Sequence, residues 1–350
     1  MTIDSEQSGA RPQLGGPSTS RRLVACAFDD RYLWPWACSA LSAVAGANRN
    51  IEFLVANVNG LLSREAIDLV SELLDVFGAA GRVLDVRVDI KNFERYQWNL
   101  VVYARLRLLD TLDEPFLWLD SDTLLRPGWD ELFNLSDQLF DNETVVACAV
   151  LDRQQTLDHM STEGTNQAYS ASKGAYFNSG VFAADPLRWR SGGFAEEWLP
   201  LVAHQEAHGF TFPDQDILNF LLAGRVGLLP RAFNHIVSEP TTGEEKVLHY
   251  AGYPKPWRLD PKGRAFFIAT EALNADRPNH QVSGGGTAWH LFPLYWEQER
   301  ILDRALIERG RQDVVASLHS IRSSQLVNPG LQERVKLSAL RLLARDLLGA

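Results

Sequence analysis

The sequence predicts an α/β protein: a mostly parallel sheet flanked by helices, followed by a helical C-terminal extension. Three observations predict it. From Leu23 onward, short apolar runs alternate with segments of helical periodicity, the pattern of strands joined by crossover helices. The run Phe116-Leu117-Trp118-Leu119, entered from Pro115, is apolar throughout and stops at Asp120-Ser121-Asp122, as a strand covered on both faces does when it reaches a loop. Hydrophobic residues make up 45% and charged residues 22% of the 350, the balance of a globular chain with one large domain or one domain plus an extension.

The elements follow in order. Residues 1–22 are rich in Ser, Gly and Pro and lack an apolar run of signal-peptide type, so a disordered, soluble tail is expected. Residues 23–28 form the first strand, which ends at Asp29-Asp30-Arg31-Tyr32 and passes into a helix rich in Ala and Ser. A second strand covers 51–56, a helix with Ser63 as N-cap covers 63–77, and a third strand covers 83–88. Residues 98–112 give a helix carrying Tyr103, Arg105 and Arg107, which delivers the chain to the acidic strand; Arg126-Pro127-Gly128 turns it beyond. Another strand spans 144–150. The apolar stretch 174–185 is broken by Asn178-Ser179-Gly180, and such a break marks close approach of a ligand or another backbone. Residues 194–208 are helical, and a further helix opens at Pro213 with Asp214 and Asp216 in its first turn, where carboxylates gain ~0.3–1 kcal/mol from the helix dipole. Residues 247–250 make a last short strand running into a Gly- and Pro-rich loop, 251–257. The domain organisation expected is a tail over 1–22, a main domain over 23–270, and a loop and helical extension over 271–350. Within the extension, 274–287 has the Gly-rich composition of a mobile loop, 289–309 is an aromatic-rich helical region, and 332–348 is an amphipathic helix with Arg and Lys beside leucines.

Charge and cysteine usage exclude several classes. A formal charge of −10 and a pI near 5.3 argue against a nucleic-acid binder, which needs a net basic face. Cys26, Cys38 and Cys148 are few and odd in number, so neither a disulfide framework nor a zinc site is expected, and a reducing cytoplasm is favoured. No stretch approaches the ~20 apolar residues of a membrane helix.

The acids carry the first chemical signal. Side chains alternate along an extended segment, so Asp120 and Asp122 should point the same way, and two close carboxylates repel unless a cation lies between them. Hard oxygen ligands suit Mg²⁺ or Mn²⁺, and functional groups of open α/β sheets collect at the carboxyl ends of strands. Alone, the pair also fits a polar turn after a core strand.

Five ordered segments change that balance: AFDDRY at 27–32, WLDSDTLL at 118–125, YFNSGVFAAD at 176–185 followed by LRWR, FPDQDILNFLLAG at 212–224, and LHYAGYPKPW at 248–257. Together they resemble the nucleotide-sugar glycosyltransferases of family 8, the retaining group that includes glycogenins and bacterial lipooligosaccharide galactosyltransferases. The resemblance implies a GT-A fold with its Rossmann-like sheet, a donor that is usually a UDP-sugar, Mn²⁺ (or Mg²⁺) as cofactor, a carbohydrate or other hydroxyl acceptor, and transfer with retention at the anomeric carbon. It places His249 beside Asp120 and Asp122 as the third metal ligand, and an imidazole favours Mn²⁺ over Mg²⁺ relative to an all-oxygen site. Gly252 lets backbone N–H groups approach a phosphate and Lys255 brings a point charge to it. Asp29 can accept the imide N–H of uracil and Tyr32 can stack on the ring, with an Asx turn and a surface tyrosine as the plain alternatives. Ala27 and Ser121 count among the nucleotide contacts, Arg105 takes a ribose or phosphate contact, and Asp120 touches the ribose as well as the metal.

For the sugar, Asn178, Asp214 and Gln215 match the family's donor-contacting positions. Retention requires a protein nucleophile or same-face attack guided by the departing phosphate. An amide is a poor nucleophile, so same-face attack is favoured, with Asp214 holding sugar hydroxyls and Gln215 facing positive charge on the ring; Asp216 supports them or caps its helix. Arg31, where many members carry Asn, and the bulky Trp34-Pro35-Trp36 depart from the pattern at the rim of the nucleotide pocket. Two other readings compete: a phosphatase of the haloacid dehalogenase superfamily, whose nucleophile motif normally lies in the first strand, and a nucleotide-sugar binding protein without catalysis. The helix over 332–348 fits peripheral contact with an anionic membrane. Packing on the catalytic domain, or on a second subunit in a homo-oligomer, is preferred, because Pro329-Gly330 can fold it back and Asp346 weakens its basic face.

Overall fold

β1 (Arg22–Ala27) can sit at the centre of a sheet because it is apolar on both faces. Val24 and Cys26 enter one hydrophobic layer, while Leu23, Ala25 and Ala27 enter the other. In the computed structural model, which describes residues 21–90, 100–152, 176–203, 212–237, 239–252, 255–259, 264 and 291–326, β1 is flanked on one side by β2 (Ile51–Val58) and β3 (Ala80–Val86), and on the other by β4 (Phe116–Leu119). β6 (Ala147–Leu151), β7 (Phe177–Ala184) and β8 (Val226–Leu228) complete the order β3-β2-β1-β4-β7-β6-β8. Only β7 runs against its neighbours, so the sheet is mostly parallel, as expected. The chain moves from β1 outward to β3 and then returns to the other side of β1 with β4, so a crevice opens between the carboxyl ends of β1 and β4.

Helices cover both faces. α1 (Leu33–Gly46), α2 (Arg64–Phe77) and α4 (Glu131–Phe140) pack on one; α3 (Ala104–Thr111), α5 (Pro186–Ser191), α6 (Phe194–Ala203) and α7 (Pro213–Leu221) pack on the other. Ser63 caps α2 by accepting from the Ala66 N–H at 3.2 Å, and Gly78 ends it at φ 69°. β3 begins three residues before the expected strand over 83–88, because Glu52 pairs with Ala80 and the register then runs to Val58 and Val86. The strand expected over 144–150 begins at Ala147, where pairing with Ala184 and Val226 starts.

The run that resumes after the acids is β5 (Thr123–Leu125), which joins β9 (His235–Ile236) and β10 (Val247–His249) in a separate sheet of order β5-β10-β9. α8 (Phe292–Glu308) and α9 (Gln312–Leu326) place Phe292, Tyr295, Trp296, Leu302, Leu306, Val314 and Leu318 in the same core as α1. A buried ion cluster ties them there: Glu299 accepts from Trp34 Nε1 at 2.9 Å and pairs with Arg264 at 2.7 Å and Arg322 at 3.4 Å. Among the described residues no helix is long and apolar enough to cross a membrane. The expected tail as far as residue 20, the loop 274–287 and the amphipathic helix 332–348 lie outside the described residues.

Candidate active site

The two acids converge through a turn rather than through strand alternation. β4 ends at Leu119, the Asp120 N–H donates to the Gly180 carbonyl at 2.8 Å, and the Thr123 N–H closes back on the Asp120 carbonyl at 3.2 Å. Each carboxylate then spends one oxygen on the protein. Asp120 Oδ1 accepts from Arg105 Nη2 and from Trp118 Nε1, both at 2.8 Å, and Asp122 Oδ2 accepts from Lys255 Nζ at 2.6 Å. Their other oxygens face His249 Nε2, at 3.8 Å from Asp120 Oδ2 and 3.3 Å from Asp122 Oδ1. The antiparallel register of β5 and β10 sets His249 opposite Thr123, the residue after Asp122. One ligand atom from each of Asp120, Asp122 and His249 lies within 4.8 Å of the others. Two anionic oxygens and one imidazole nitrogen, each with its partner atom already bonded, fit a divalent cation.

Burial alone would raise the Asp122 carboxyl, but the Lys255 ammonium and the His249 ring outweigh it and hold that carboxyl well below the usual carboxylate range. Burial alone would lower Lys255, yet Asp122 beside it keeps its ammonium above the ordinary value. Lys255 Nζ also donates to the Tyr250 carbonyl at 2.5 Å.

Gly180 explains the break seen in β7. A Cβ there would lie 2.2 Å from His249 Cε1 and 2.9 Å from Asp120 Oδ2, so the approach is by side chains of the site. Gly180→Ala is therefore expected to displace His249 and weaken whatever affinity this donor set has for a divalent cation, with Mn²⁺ as the probe, about 10–100-fold. Titration of free Mn²⁺ by electron paramagnetic resonance measures it, and affinity within twofold of wild type would refute the close-packing account.

On the other side of Arg105 lie the expected sugar-contacting residues. Arg105 Nη1 donates to Ser179 O at 2.6 Å and Ser179 Oγ at 2.8 Å and pairs with Asp214 Oδ2 at 3.2 Å, so this guanidinium joins the two acidic groups of the cleft. Burial raises the Asp214 carboxyl and Arg105 opposes the rise. Gln215 Oε1 accepts from the Ser179 N–H at 3.0 Å, while its Nε2 donates to Tyr176 Oη at 3.0 Å and to Asp152 Oδ2 at 3.4 Å. Asn178 Nδ2 also donates to Asp152 Oδ2, at 3.2 Å. Asp216 faces away from the cleft: it accepts from the Phe212 N–H at 2.8 Å and from the Tyr176 hydroxyl, the work of a cap and a brace.

In the first loop Asp29 makes the Asx-type turn, accepting from the Arg31 N–H at 3.1 Å, and its other oxygen pairs with the Arg31 side chain at 2.5 Å. Thus the departing residue Arg31 occupies the carboxylate expected to face a base. Tyr32 sits edge-on to Trp257 at 5.8 Å. Trp34 and Trp36 do not reach the cleft; they are buried in the core.

All the residues predicted for nucleotide, metal and sugar line a single cleft of about 610 Å³, including Ala27, Ser121 and Gly252. Asp152, Ser179 and Gly180 line it too, and Asn234 stands behind His249, its Oδ1 3.0 Å from Nδ1. Gly180 had a signal in the broken apolar run. Asp152 and Asn234 had none, since single polar residues at strand ends are ordinary.

The family model for glycosyl transferase family 8 matches residues 23–260. The chain is 25% identical over 256 residues to a lipopolysaccharide 1,2-glucosyltransferase of Escherichia coli, covering 67% of this chain and 72% of that protein. It is 27% identical over 195 residues to a protein of the same name from Escherichia coli strain K12, covering 50% of this chain and 55% of that one. Among solved structures it is similar to the apo form of the glycosyltransferase GlyE of Streptococcus pneumoniae, with a TM-score of 0.52 and 20% identity, over 84% of this chain and 64% of that one. The chain thus spans less than two thirds of the latter two.

Proposed function

The chain belongs to glycosyltransferase family 8 and has the GT-A fold, and from that premise we propose that it is a metal-dependent retaining transferase moving a hexose-type sugar from a UDP-sugar to a hydroxyl acceptor. The observation that carries this reading is the joining, through Arg105, of a three-donor acidic site and a buried polar wall within one cleft. Asp120, Asp122 and His249 would hold Mn²⁺ or Mg²⁺. When bound, such a cation neutralises charge that develops on a diphosphate leaving group.

The chain's own groups supply the rest. Gly252, at φ 78°, opens backbone space beside the acids, and Lys255 reaches the same place as a cation. Ala27, Asp29, Tyr32 and Ser121 line the same cleft and are the residues assigned to the nucleotide. Arg105 holds Asp120 and Asp214 in fixed relation, so a sugar gripped by Asp214 would sit at a set distance from its leaving group. Gln215 has both amide hydrogens engaged and its oxygen oriented by the Ser179 N–H at 3.0 Å and the Ser179 hydroxyl at 3.4 Å, so that the partial negative charge of this oxygen would face positive charge on the ring. That geometry supports same-face attack, because Asp214 is tied to Arg105 and Gln215 is an amide. Asn178 completes the wall. The acids follow the fourth strand of the sheet and meet a histidine, which sets this reading above a phosphatase.

The two relatives named for lipopolysaccharide support a carbohydrate acceptor, and the buried, unpaired Cys26, Cys38 and Cys148 support a reducing compartment. Calorimetric titration with UDP is expected to show tight binding in Mn²⁺ and weak binding in chelator, and a panel of UDP-hexoses should then show one that is hydrolysed. Metal-independent UDP binding with no donor hydrolysed would overturn the reading.

A further inference from the structure

We propose that Asn234 is a positioning residue: through a chain of amides that starts at the Gly180 main-chain N–H, it fixes His249 in the tautomer with its proton on Nδ1 and turns Nε2 toward the acids. The inference rests on the metal-site reading above and assigns a role to Asn234, which does not line the cleft.

The polarity of the chain follows from its first member. A backbone N–H can only donate, so the atom of Asn178 lying 3.0 Å from Gly180 N must be the oxygen. The same Asn178 Oδ1 lies 2.9 Å from the Asn234 side chain, which must therefore present its NH₂ group there. Asn234 is then left with its oxygen 3.0 Å from His249 Nδ1, and an oxygen of this kind can only accept. Nδ1 carries the hydrogen. Turning the Asn234 amide over would set two oxygens against each other across the 2.9 Å contact with Asn178, so the assignment does not depend on the choice of amide orientation at Asn234 itself. All three side chains are buried, with Asn234 and His249 each 3% exposed, so water cannot easily replace a missing partner.

The consequence is at the other nitrogen. With Nδ1–H committed, Nε2 is the nitrogen that would give up its proton and offer a lone pair to a cation held between it and Asp122 Oδ1 and Asp120 Oδ2, the state a metal-ligating imidazole needs. Without the Asn234 oxygen, the proton is free to move to Nε2 and donate to Asp122, 3.3 Å away, which closes the site to a cation. Gly180 thus serves three ends at once: its N–H starts the chain, its carbonyl holds the Asp120 N–H, and its missing side chain leaves room for the His249 ring.

The test uses the full-length chain with ¹⁵N-labelled histidine, its eight histidines resolved by comparison with His249→Gln. In the UDP–Mg²⁺ complex, His249 is expected to show a protonated Nδ1 and an unprotonated Nε2. Asn234→Ala should weaken Mn²⁺ binding about 10–100-fold while the thermal midpoint and circular dichroism stay close to wild type. Asn234→Asp keeps an acceptor at Nδ1 but sets an oxygen against Asn178 Oδ1, so it should retain the tautomer while lowering the thermal midpoint. A proton on Nε2 in the wild-type complex overturns the proposal, and that measurement stands even if a variant fails to fold. Asn234→Ala binding Mn²⁺ within twofold of wild type, while Asp122→Asn does not bind, overturns it and leaves the metal site intact. No Mn²⁺ binding by the wild type overturns the metal reading and this inference together.

Discussion

Asp122→Asn is expected to lower turnover about a thousandfold, equivalent to ~4 kcal/mol of transition-state stabilisation. The substitution preserves shape and removes only the charge that faces both His249 Nε2 at 3.3 Å and Lys255 Nζ at 2.6 Å. It therefore acts twice, taking an anionic donor from the candidate cation site and leaving a buried ammonium with neutral acceptors, an amide oxygen and the Tyr250 carbonyl, where it had a carboxylate. The second effect has its own signature. Because the folded Asp122 carboxyl titrates below its unfolded counterpart, its contribution to stability is complete above about pH 4 and declines as the pH falls below that value. Thermal melts of wild type and variant across that window should converge toward acid. Wild-type turnover by Asp122→Asn in metal-free buffer would remove Asp122 from the site.

Asp214→Asn is expected to cut kcat by about a thousandfold while changing UDP affinity little, the pattern of an interaction made with the reacting sugar and not with the nucleotide. Asp214 lies on the far side of Arg105 from Asp120, so losing its charge leaves the acid pair in place. Burial holds its carboxyl above the usual carboxylate range against the pull of Arg105, so the ionised form is lost at a higher pH than for an ordinary aspartate. The acid limb of the wild-type kcat profile should accordingly lie above the ordinary aspartate range and be missing from the residual activity of the variant. A large loss of UDP binding with unchanged kcat would assign Asp214 to the nucleotide instead.

Much of the fold and of the site was open to reading along the chain. Strands buried on both faces appear as unbroken apolar runs, because every side chain must avoid water, and the acids that end β4 stand out against such a run. Ser63 as a cap, the broken apolar run at Asn178-Ser179-Gly180 and the alternation of strands with helices are likewise local signals. Element boundaries were less legible: β3 and β6 start where their partners' registers dictate, and pairing is not written in either strand alone.

The residue types and order of the site, from Asp29 through Asp120 and Asp122 to Asp214 and His249, were determined by the sequence itself, since each belongs to a short segment whose composition carries it. Only the tertiary structure decided which atoms meet. Arg105 reaches Asp120 and Asp214 across 15 and 109 positions in the chain, His249 reaches Asp122 across 127, and Glu299 reaches Trp34 across 265. No local pattern encodes such contacts, because they arise from the packing of several elements that each satisfy their own burial independently. The same holds for Asn234, an ordinary asparagine until β10 lays His249 beside it.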